Sequence, residues 1–264
     1  MYAFEYQRPA SRDAAKAAAT GDTHYLAGGQ SLIQAMRLRL SQSERLVDLG
    51  GIADLKGIKA ENSGVTIGAM ATHASVAANA DVRRVLPSLA ELAGGIGDPM
   101  VRNMGTIGGS IANADPAACY PAAIIALGAT IHTDRRSIAA DDFFTGLYET
   151  ALQPGELIAS VSFPATPKAA YVKFRQPASR FALVGVFVAQ TPGGVRVAVT
   201  GAKSHVFRAK QIEDALAKSF TAAAAKAVKM PADDINADLH GSAEYRAAMI
   251  SVMAARAVAA ALAR

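Results

Sequence analysis

Residues 102–116 read RNMGTIGGSIANADP and belong to the most glycine-rich part of the chain. Six glycines fall within the twenty residues 94–113, although the surrounding sequence alternates short predicted strands and helices. Glycine has no Cβ atom, so this density predicts tight turns in which the backbone comes close to another group. The centre of the motif, Thr106–Ser110, is therefore a candidate for contact with a ligand such as a diphosphate.

A second glycine motif, AGGQSL at residues 27–32, stands between a predicted strand, His24–Ala27, and a helix predicted to start at Ser31. Consecutive backbone N–H groups at such a corner, together with the positive end of the helix dipole, form a concavity for an anion. Each motif alone is more typical of an ordinary turn than of a phosphate site. Two of them in one small domain favour a diphosphate, because that group needs donors on both sides.

Several common kinds of site are missing from the sequence. There is no G-x-G-x-x-G dinucleotide fingerprint, no Walker A motif and no G-x-S-x-G nucleophile motif. The chain has one cysteine, Cys119, so it cannot form an internal disulfide or supply four thiolates to a zinc ion or an iron–sulfur cluster. Its five histidines are far apart and match no metal-ligand spacing. Any metal that this protein works with is expected to belong to another chain.

The segment PATPK at residues 164–168 is the best candidate for a domain boundary. Short strands and helices alternate before it, and three strands and three helices are predicted after it. The later strands are Ala170–Arg175, Ala182–Gln190 and Gly194–Gly201, and the later helices are 208–217, 221–228 and 242–263. We therefore predict an α+β protein with a first domain at residues 1–167 and a small α+β domain, with a three-stranded antiparallel sheet and helices, at residues 168–264.

The net charge of +5 is unevenly distributed. Residues 168–264 carry 14 basic and 6 acidic side chains, while residues 1–167 carry 13 basic and 16 acidic ones. The basic residues are dispersed among alanines without an aromatic platform, so we expect a solvated or subunit-facing surface and no nucleic-acid site. No apolar run is long enough to span a bilayer and no signal peptide is present, so the sequence predicts a cytoplasmic protein without a membrane span.

Together the two glycine motifs resemble the flavin-binding signature of the xanthine dehydrogenase family. Within that family the likeness is to the medium subunit of carbon monoxide dehydrogenase and related bacterial hydroxylases. YVKFR at residues 171–175 also resembles the family, and the likeness covers essentially the whole chain. The resemblance implies a two-part FAD-binding domain of the vanillyl-alcohol-oxidase (PCMH) type, followed by a C-terminal α+β domain of the carbon monoxide dehydrogenase flavoprotein type.

The resemblance also implies which residues bind FAD. The two glycine motifs would wrap its pyrophosphate, and Asp115 would contact the cofactor or cap the helix that follows. Ile158 would pack on the flavin or adenine side, or be an ordinary core residue, and Ile96 would pack on the cofactor. Lys173 would reach the flavin from the second domain, with Arg175 as an alternative. The implied cofactor-binding residues are Ala27, Gly28, Gly29, Gln30, Ser31, Leu32, Ile96, Thr106, Ile107, Gly108, Gly109, Ser110, Asp115, Ile158 and Lys173.

Cys119 departs from the family pattern, which often has an aspartate at this position. A thiol has neither the charge nor the acceptor strength of a carboxylate, so one polar contact of the family is changed here. Two interpretations stay open for the residue. It is either a buried structural cysteine, the more common case, or a reactive thiol that links the flavin.

By resemblance, the chain is an FAD-binding electron-transfer subunit of a heterotrimeric molybdenum hydroxylase, and it contains no catalytic residue or metal ligand of its own. A large partner subunit would hold the molybdenum cofactor, and a small one would hold two two-iron two-sulfur clusters. FAD would pass the electrons to an external acceptor, and the complex would be a dimer of heterotrimers. Two alternatives are a stand-alone flavin reductase on the same fold and a scaffold subunit without flavin. The intact pair of glycine motifs argues against the scaffold.

Overall fold

The structure is a computed structural model that describes residues 1–61 and 63–264. Its strands are β1 Glu5–Gln7, β2 Thr23–Leu26, β3 Arg45–Asp48, β4 Ile58–Glu61, β5 Gly64–Gly68, β6 Thr130–Thr133, β7 Ser137–Ala139, β8 Phe144–Gly146, β9 Glu149–Thr150, β10 Ile158–Pro164, β11 Ala169–Arg175, β12 Ala182–Thr191, β13 Gly194–Thr200 and β14 Phe207–Arg208. Its α-helices are α1 Arg12–Ala18, α2 Leu32–Arg37, α3 His73–Ala78, α4 Ala80–Val85, α5 Pro87–Gly94, α6 Pro99–Met104, α7 Ile107–Asn113, α8 Tyr120–Leu127, α9 Lys210–Lys218, α10 Ala222–Ala227 and α11 Ala243–Leu262.

The first three strands form a parallel sheet with β3 in the centre. Helices α1 and α2 supply the crossovers that parallel strands require. Helix α1 begins after Ser11, whose hydroxyl accepts a hydrogen bond from the Ala14 N–H at 3.2 Å. The AGGQSL motif leaves the carboxyl end of β2, which is the edge where open sheets with parallel strands bind ligands.

A second, antiparallel sheet of five strands has the order β4-β5-β10-β6-β7. Val161 of β10 lies opposite Ile67 of β5 on one side and Ile131 of β6 on the other, and all three side chains are fully buried. Helix α8 packs in the same core, and every one of its eight residues is buried. Helix α7, which carries the second glycine motif, contacts both β10 and α8, so the main core fixes its position.

The glycine-rich segment 94–113 contains two helices, α6 and α7, which corrects the expectation of tight turns. Asp98 caps α6 by accepting from the Val101 N–H at 2.9 Å, and Pro99 occupies the first turn, where its missing N–H costs nothing. Thr106 caps α7 by accepting from the Gly109 N–H at 3.1 Å. In α7 the Thr106 cap partly offsets the low helix propensity of Gly108 and Gly109. The second glycine motif is therefore the first turn of a helix.

The C-terminal part contains an antiparallel sheet in the order β11-β12-β13-β14. The three predicted strands are confirmed, and the two-residue β14 adds a fourth strand at the edge. Strand β12 is buried on both faces: Val184, Val186 and Val188 pack with α9, α10 and α11, while Phe187 and Ala189 join the core of the first part. One hydrophobic core contains residues from both sides of the segment 165–168, such as Phe163 and Ala169. The predicted domain boundary between residues 167 and 168 therefore stays a prediction.

Helix α11 is, among the described residues, the one helix that is long and apolar enough to cross a membrane by length and composition. This finding differs from the expectation that no segment is long enough. More than half of its most apolar window is buried inside the fold, where it packs against β11 and β12. Ser242 caps the helix by accepting from the Tyr245 N–H at 3.2 Å, near the predicted start of this helix. The burial is typical of a core helix.

Candidate cofactor site

A cavity of about 490 Å³ opens between the two glycine motifs and the loop that joins β11 to β12. Its volume is within the range of roughly 300–1,000 Å³ that cofactor and ligand sites occupy. One part of the wall contains Tyr25, Leu49 and Leu157, which belong to a small core cluster beside the parallel sheet. Another part contains Cys119 and Lys173 together with the loop residues 178–181. The cavity therefore joins the N-terminal and C-terminal parts of the chain.

The AGGQSL motif offers a row of open backbone donors to this cavity. Among the residues that the structure describes, no acceptor is found for the backbone N–H groups of Gly28, Gly29, Gln30, Ser31 and Leu32. The Ser31 side chain makes no capping bond to α2, so its hydroxyl is a further donor at the same place. Backbone N–H groups seldom lack partners in folded proteins, so such a row indicates an anionic ligand. This part of the sequence prediction agrees with the geometry.

The second motif uses four of its five backbone N–H groups inside the protein, which limits the prediction that both motifs donate to the ligand. The N–H groups of Ile107 and Gly108 donate to the carbonyl oxygens of Ala71 (3.1 Å) and Ala69 (2.8 Å). Those of Gly109 and Ser110 donate to Thr106, through its hydroxyl at 3.1 Å and its carbonyl at 3.0 Å. Among the described residues the Thr106 N–H alone of this motif has no acceptor, so the motif builds the wall of the cavity and contributes mainly side-chain groups.

Glycines in both motifs allow three segments of backbone to meet. A Cβ at Gly28 would overlap the Met104 carbonyl oxygen and lie 2.7 Å from the Gly105 Cα. A Cβ at Gly108 would lie 2.6 Å from the Ala69 Cβ and 2.7 Å from its carbonyl oxygen. Contacts this short leave no room for any other residue type. The glycines therefore admit neighbouring protein backbone, whereas the sequence had suggested that they admit a phosphate.

The remaining predicted residues fall into two groups. Ile96, Asp115, Ile158 and Lys173 line the cavity together with Thr106, Gly108, Gly109 and Ser110. Ile107 is fully buried in the main core and does not line the cavity, so its side chain is turned away from the site and its contact with the cofactor stays a prediction. Of the two alternatives on β11, Lys173 is in the wall, whereas Arg175 at the end of the strand is exposed.

Cys119 lies in the cavity wall next to the C-terminal part. Its side chain is buried, and its sulfur accepts a hydrogen bond from the Lys173 ammonium group at 3.3 Å. Burial, together with the neighbouring Cys119, raises the pKa of Tyr171 well above its ordinary value. The thiol thus joins a polar cluster of residues from both parts of the chain. Both interpretations of the cysteine, structural and flavin-linking, remain open.

Sequence reasoning did not single out two polar residues of the wall, His73 and Glu156. The carboxylate of Glu156 accepts from Arg136 through both oxygens at 3.0 Å, from the Thr133 hydroxyl at 2.8 Å and from the Gln153 N–H at 2.8 Å. The bond from Arg136, aided by those from Gln153 and Thr133, lowers the pKa of Glu156 to about 2. These bonds occupy both oxygens of Glu156. They join the segment before β10 to Thr133 and Arg136.

His73 is 5% exposed and begins α3 next to the second glycine motif. Burial, with a smaller contribution from the positive charge of Arg102, lowers the pKa of His73 to about 4. The imidazole is therefore neutral at physiological pH. Thr72 caps this helix, but a single histidine after a cap gives no signal of a ligand in the sequence.

The low pKa of His73 predicts that the FAD-free protein loses stability in mild acid. Between pH 6.5 and 4 the unfolded chain binds a proton at this residue and the folded chain does not, so the free energy of unfolding falls as the pH falls. The loss is on the order of 3 kcal/mol. His73→Gln removes the titration, so urea unfolding should show a flatter pH dependence across this range in the variant. Equal slopes for both proteins would contradict a neutral, buried His73.

A row of open amides in a cavity of this size defines a protein that binds an anionic cofactor, and the comparisons with known proteins identify its family. Residues 2–166 match the family described as the FAD binding domain in molybdopterin dehydrogenase. The chain is 37% identical to the carbon monoxide dehydrogenase medium chain of Hydrogenophaga pseudoflava, over 99% of this chain and 98% of the relative. It is 34% identical to the nicotine 6-hydroxylase medium subunit of Paenarthrobacter nicotinovorans, over 97% and 96% of the two chains.

The solved structures agree with these sequence matches. A carbon monoxide dehydrogenase structure from Hydrogenophaga pseudoflava, which lacks the Mo-pyranopterin moiety of its cofactor, superposes with a TM-score of 0.88. The two chains are 37% identical, and the match covers 98% of this chain and 97% of the other. This chain belongs to the family of FAD-binding subunits of molybdopterin dehydrogenases. The resemblance inferred from the glycine motifs, including the FAD fold and the C-terminal α+β part, is confirmed.

Proposed function

We propose that this chain holds FAD in the cavity between its two parts and serves as the electron-transfer subunit of a heterotrimeric molybdenum hydroxylase. The observation that carries the proposal is the row of open N–H groups at residues 28–32. FAD contains a diphosphate with two negative charges, and a row of backbone donors at the start of a helix is well suited to such a group. The hydroxyls of Ser31 and Ser110, both in the wall, add further donors.

The rest of the wall suggests how the two halves of FAD are oriented. The part containing Tyr25, Leu49 and Leu157 is apolar and suits the adenine, whereas the flavin ring would lie near Lys173. Asp115 also lines the cavity, and one of its oxygens accepts from the Ala117 N–H at 2.8 Å. Its other oxygen is an acceptor for a sugar hydroxyl of the cofactor.

FAD, when bound, accepts two electrons and passes them on. The task of Lys173 is electrostatic: a fixed ammonium group beside the ring favours the negative charge that reduction brings. The Cys119 sulfur, at 3.3 Å, restrains the position of this ammonium group. The glycine motifs hold the cofactor, and the loop 178–181 covers it from the C-terminal side. None of these residues needs to act as a general acid or base.

The proposed division of labour follows from the composition of the chain. An iron–sulfur cluster requires about four thiolate ligands, and this sequence has one cysteine. Electrons therefore reach the flavin from clusters in a small partner subunit, and substrate hydroxylation takes place at the molybdenum cofactor of a large one. The relatives act on substrates as different as carbon monoxide and nicotine, by their names, which supports a substrate site outside this chain. The flavin then serves an external acceptor.

Cys119 provides a direct test of the cofactor position, because it is the one thiol in the chain and it lines the cavity. The purified protein should bind one FAD, released on denaturation, and bound FAD should slow alkylation of the thiol by iodoacetamide at least about tenfold. Cys119→Ser is the control: it should bind FAD non-covalently and take up no reagent. Equal alkylation rates with and without bound FAD would place the cofactor elsewhere. Flavin that stays attached after denaturation of the wild type, but not of Cys119→Ser, would show a covalent link.

A further inference from the structure

His73 is attached to the second glycine motif through both its backbone and its ring. Its N–H donates to the Gly105 carbonyl oxygen at 2.9 Å. The imidazole packs directly on Gly105, where a Cβ would lie 2.6 Å from Nε2 and 2.9 Å from Cδ2. Gly105 thus leaves space for the histidine ring. Gly105 is also a residue on which Gly28 packs, so the ring and the start of the AGGQSL motif contact the same glycine.

Neither nitrogen of this ring has a hydrogen-bond partner in the described part of the chain. Nδ1 is completely buried, and the ring lies 5.3 Å from that of Tyr120, centroid to centroid, whose hydroxyl is likewise buried without a partner. Burying an unpaired polar group costs stability, so native proteins retain such a group where a ligand completes it. The ring lines the cofactor cavity. Nε2, unlike Nδ1, is not fully enclosed, so it is the nitrogen whose missing partner an atom of the ligand can supply.

The surroundings also select the tautomer. A buried N–H without an acceptor is rarer in proteins than an acceptor without a donor. The proton of the neutral ring therefore resides on Nε2, next to Gly105, and the buried Nδ1 carries the lone pair. The charged group that acts on the ring is Arg102 of α6, which disfavours a second proton. His73 thus presents one fixed donor at the place where Gly105 and Gly28 meet.

We propose that His73 donates a hydrogen bond from Nε2 to the diphosphate of the bound dinucleotide, beside the N–H groups of residues 28–32. This inference rests on the proposed function, since it assumes that the cavity holds FAD. It adds a neutral side-chain donor on the side of the cavity where most backbone N–H groups of the second glycine motif are used inside the protein. A neutral imidazole suits this place, because it remains a donor without changing its charge near neutral pH.

Two isosteric substitutions test the donor. The amide nitrogen of His73→Gln can occupy the position of Nε2, whereas that of His73→Asn reaches only the position of Nδ1. FAD and ADP, which share the diphosphate, should both bind about 10-fold to 100-fold more weakly to His73→Asn, the size of one hydrogen bond to a charged group. His73→Gln should stay within about threefold of the wild type. FAD binding is measured by flavin fluorescence quenching and ADP binding by competition, with His205→Gln, outside the cavity wall, as the matched control.

Each other result overturns the inference. A loss of FAD binding in His73→Asn without a loss of ADP binding would mean that the histidine contacts the flavin half. Wild-type affinity in both variants, or an equal loss in both with an unchanged melting temperature, would exclude the donor. If both variants unfold, NMR of the wild-type protein provides the test. The Nε2–H resonance of His73 should then shift and gain exchange protection when ADP is added. Wild type that binds neither ADP nor FAD would refute the proposed function itself.

Discussion

Replacement of Gly28 with alanine is expected to abolish measurable FAD binding. The new Cβ would overlap the Met104 carbonyl oxygen and lie 2.7 Å from the Gly105 Cα, and neither backbone atom can rotate away. The AGGQSL motif must then move off the second motif and carry its five open N–H groups with it. Hydrogen bonds to a charged group contribute roughly 1.5–3 kcal/mol each, so displacing two of them weakens binding at least about 100-fold.

Gly57→Ala is the matched control for this substitution. Gly57 has an ordinary φ, and a Cβ built on it meets no atom within 4 Å, so the variant should bind FAD as the wild type does. Gly108→Ala should behave like Gly28→Ala, because its Cβ would meet Ala69 at 2.6 Å. Valine at either site carries the same clash and should do the same. FAD titration and thermal unfolding of the three alanine variants provide the measurement. Wild-type affinity in both Gly28→Ala and Gly108→Ala would show that the two motifs do not form the site.

The two glycine motifs show what sequence can and cannot predict here. The open amides of residues 28–32 depend on a local pattern, a strand followed by two glycines and a helix, and the prediction agrees with the geometry. Two amides of the second motif, those of Ile107 and Gly108, donate to Ala71 and Ala69, almost forty residues earlier in the chain. That pairing comes from tertiary packing, which no local pattern contains. The caps Asp98 and Thr106, in contrast, were visible, and they would have predicted the two helices.

Some side chains of the site could likewise be predicted from the sequence, and others could not. Tyr171, Lys173 and Arg175 share one face of β11, so alternation alone cannot choose between the two cations. The choice follows from the sheet: Lys173 lies opposite Gly185, well inside the strand pair, whereas Arg175 is at the end. Ile107 was assigned to the site with its motif, but the helix turns its side chain into the core. The sequence contains no signal for His73, because its proposed role depends on its contact with Gly105 and on its place in the cavity wall.

The isolated subunit is expected to bind FAD but to show no turnover with aromatic, aldehyde or carbon monoxide substrates. This chain has one cysteine and so supplies no cluster that could reduce the flavin. Activity should appear when the molybdenum and iron–sulfur subunits are added, in a complex that we expect to be a dimer of heterotrimers. The measurement is a dye-reduction assay on the subunit alone and on the reconstituted complex, with mass photometry of the same samples. Substrate turnover by the subunit alone would refute the proposed division of labour.

The charge distribution further predicts that assembly of the complex depends on salt. Residues 168–264 carry 14 basic and 6 acidic side chains, and several of the lysines, such as Lys218 and Lys226, are exposed on the helices of the C-terminal part. If this surface meets an acidic partner, assembly should weaken as salt rises towards 1 M, where the screening length falls to about 3 Å. Charge-neutralising variants of these two lysines should lower the salt dependence, whereas Lys56→Gln, on the N-terminal part, should leave it unchanged. Assembly that does not respond to salt would remove the electrostatic contribution, while the need for partner subunits would still be decided by the turnover assay.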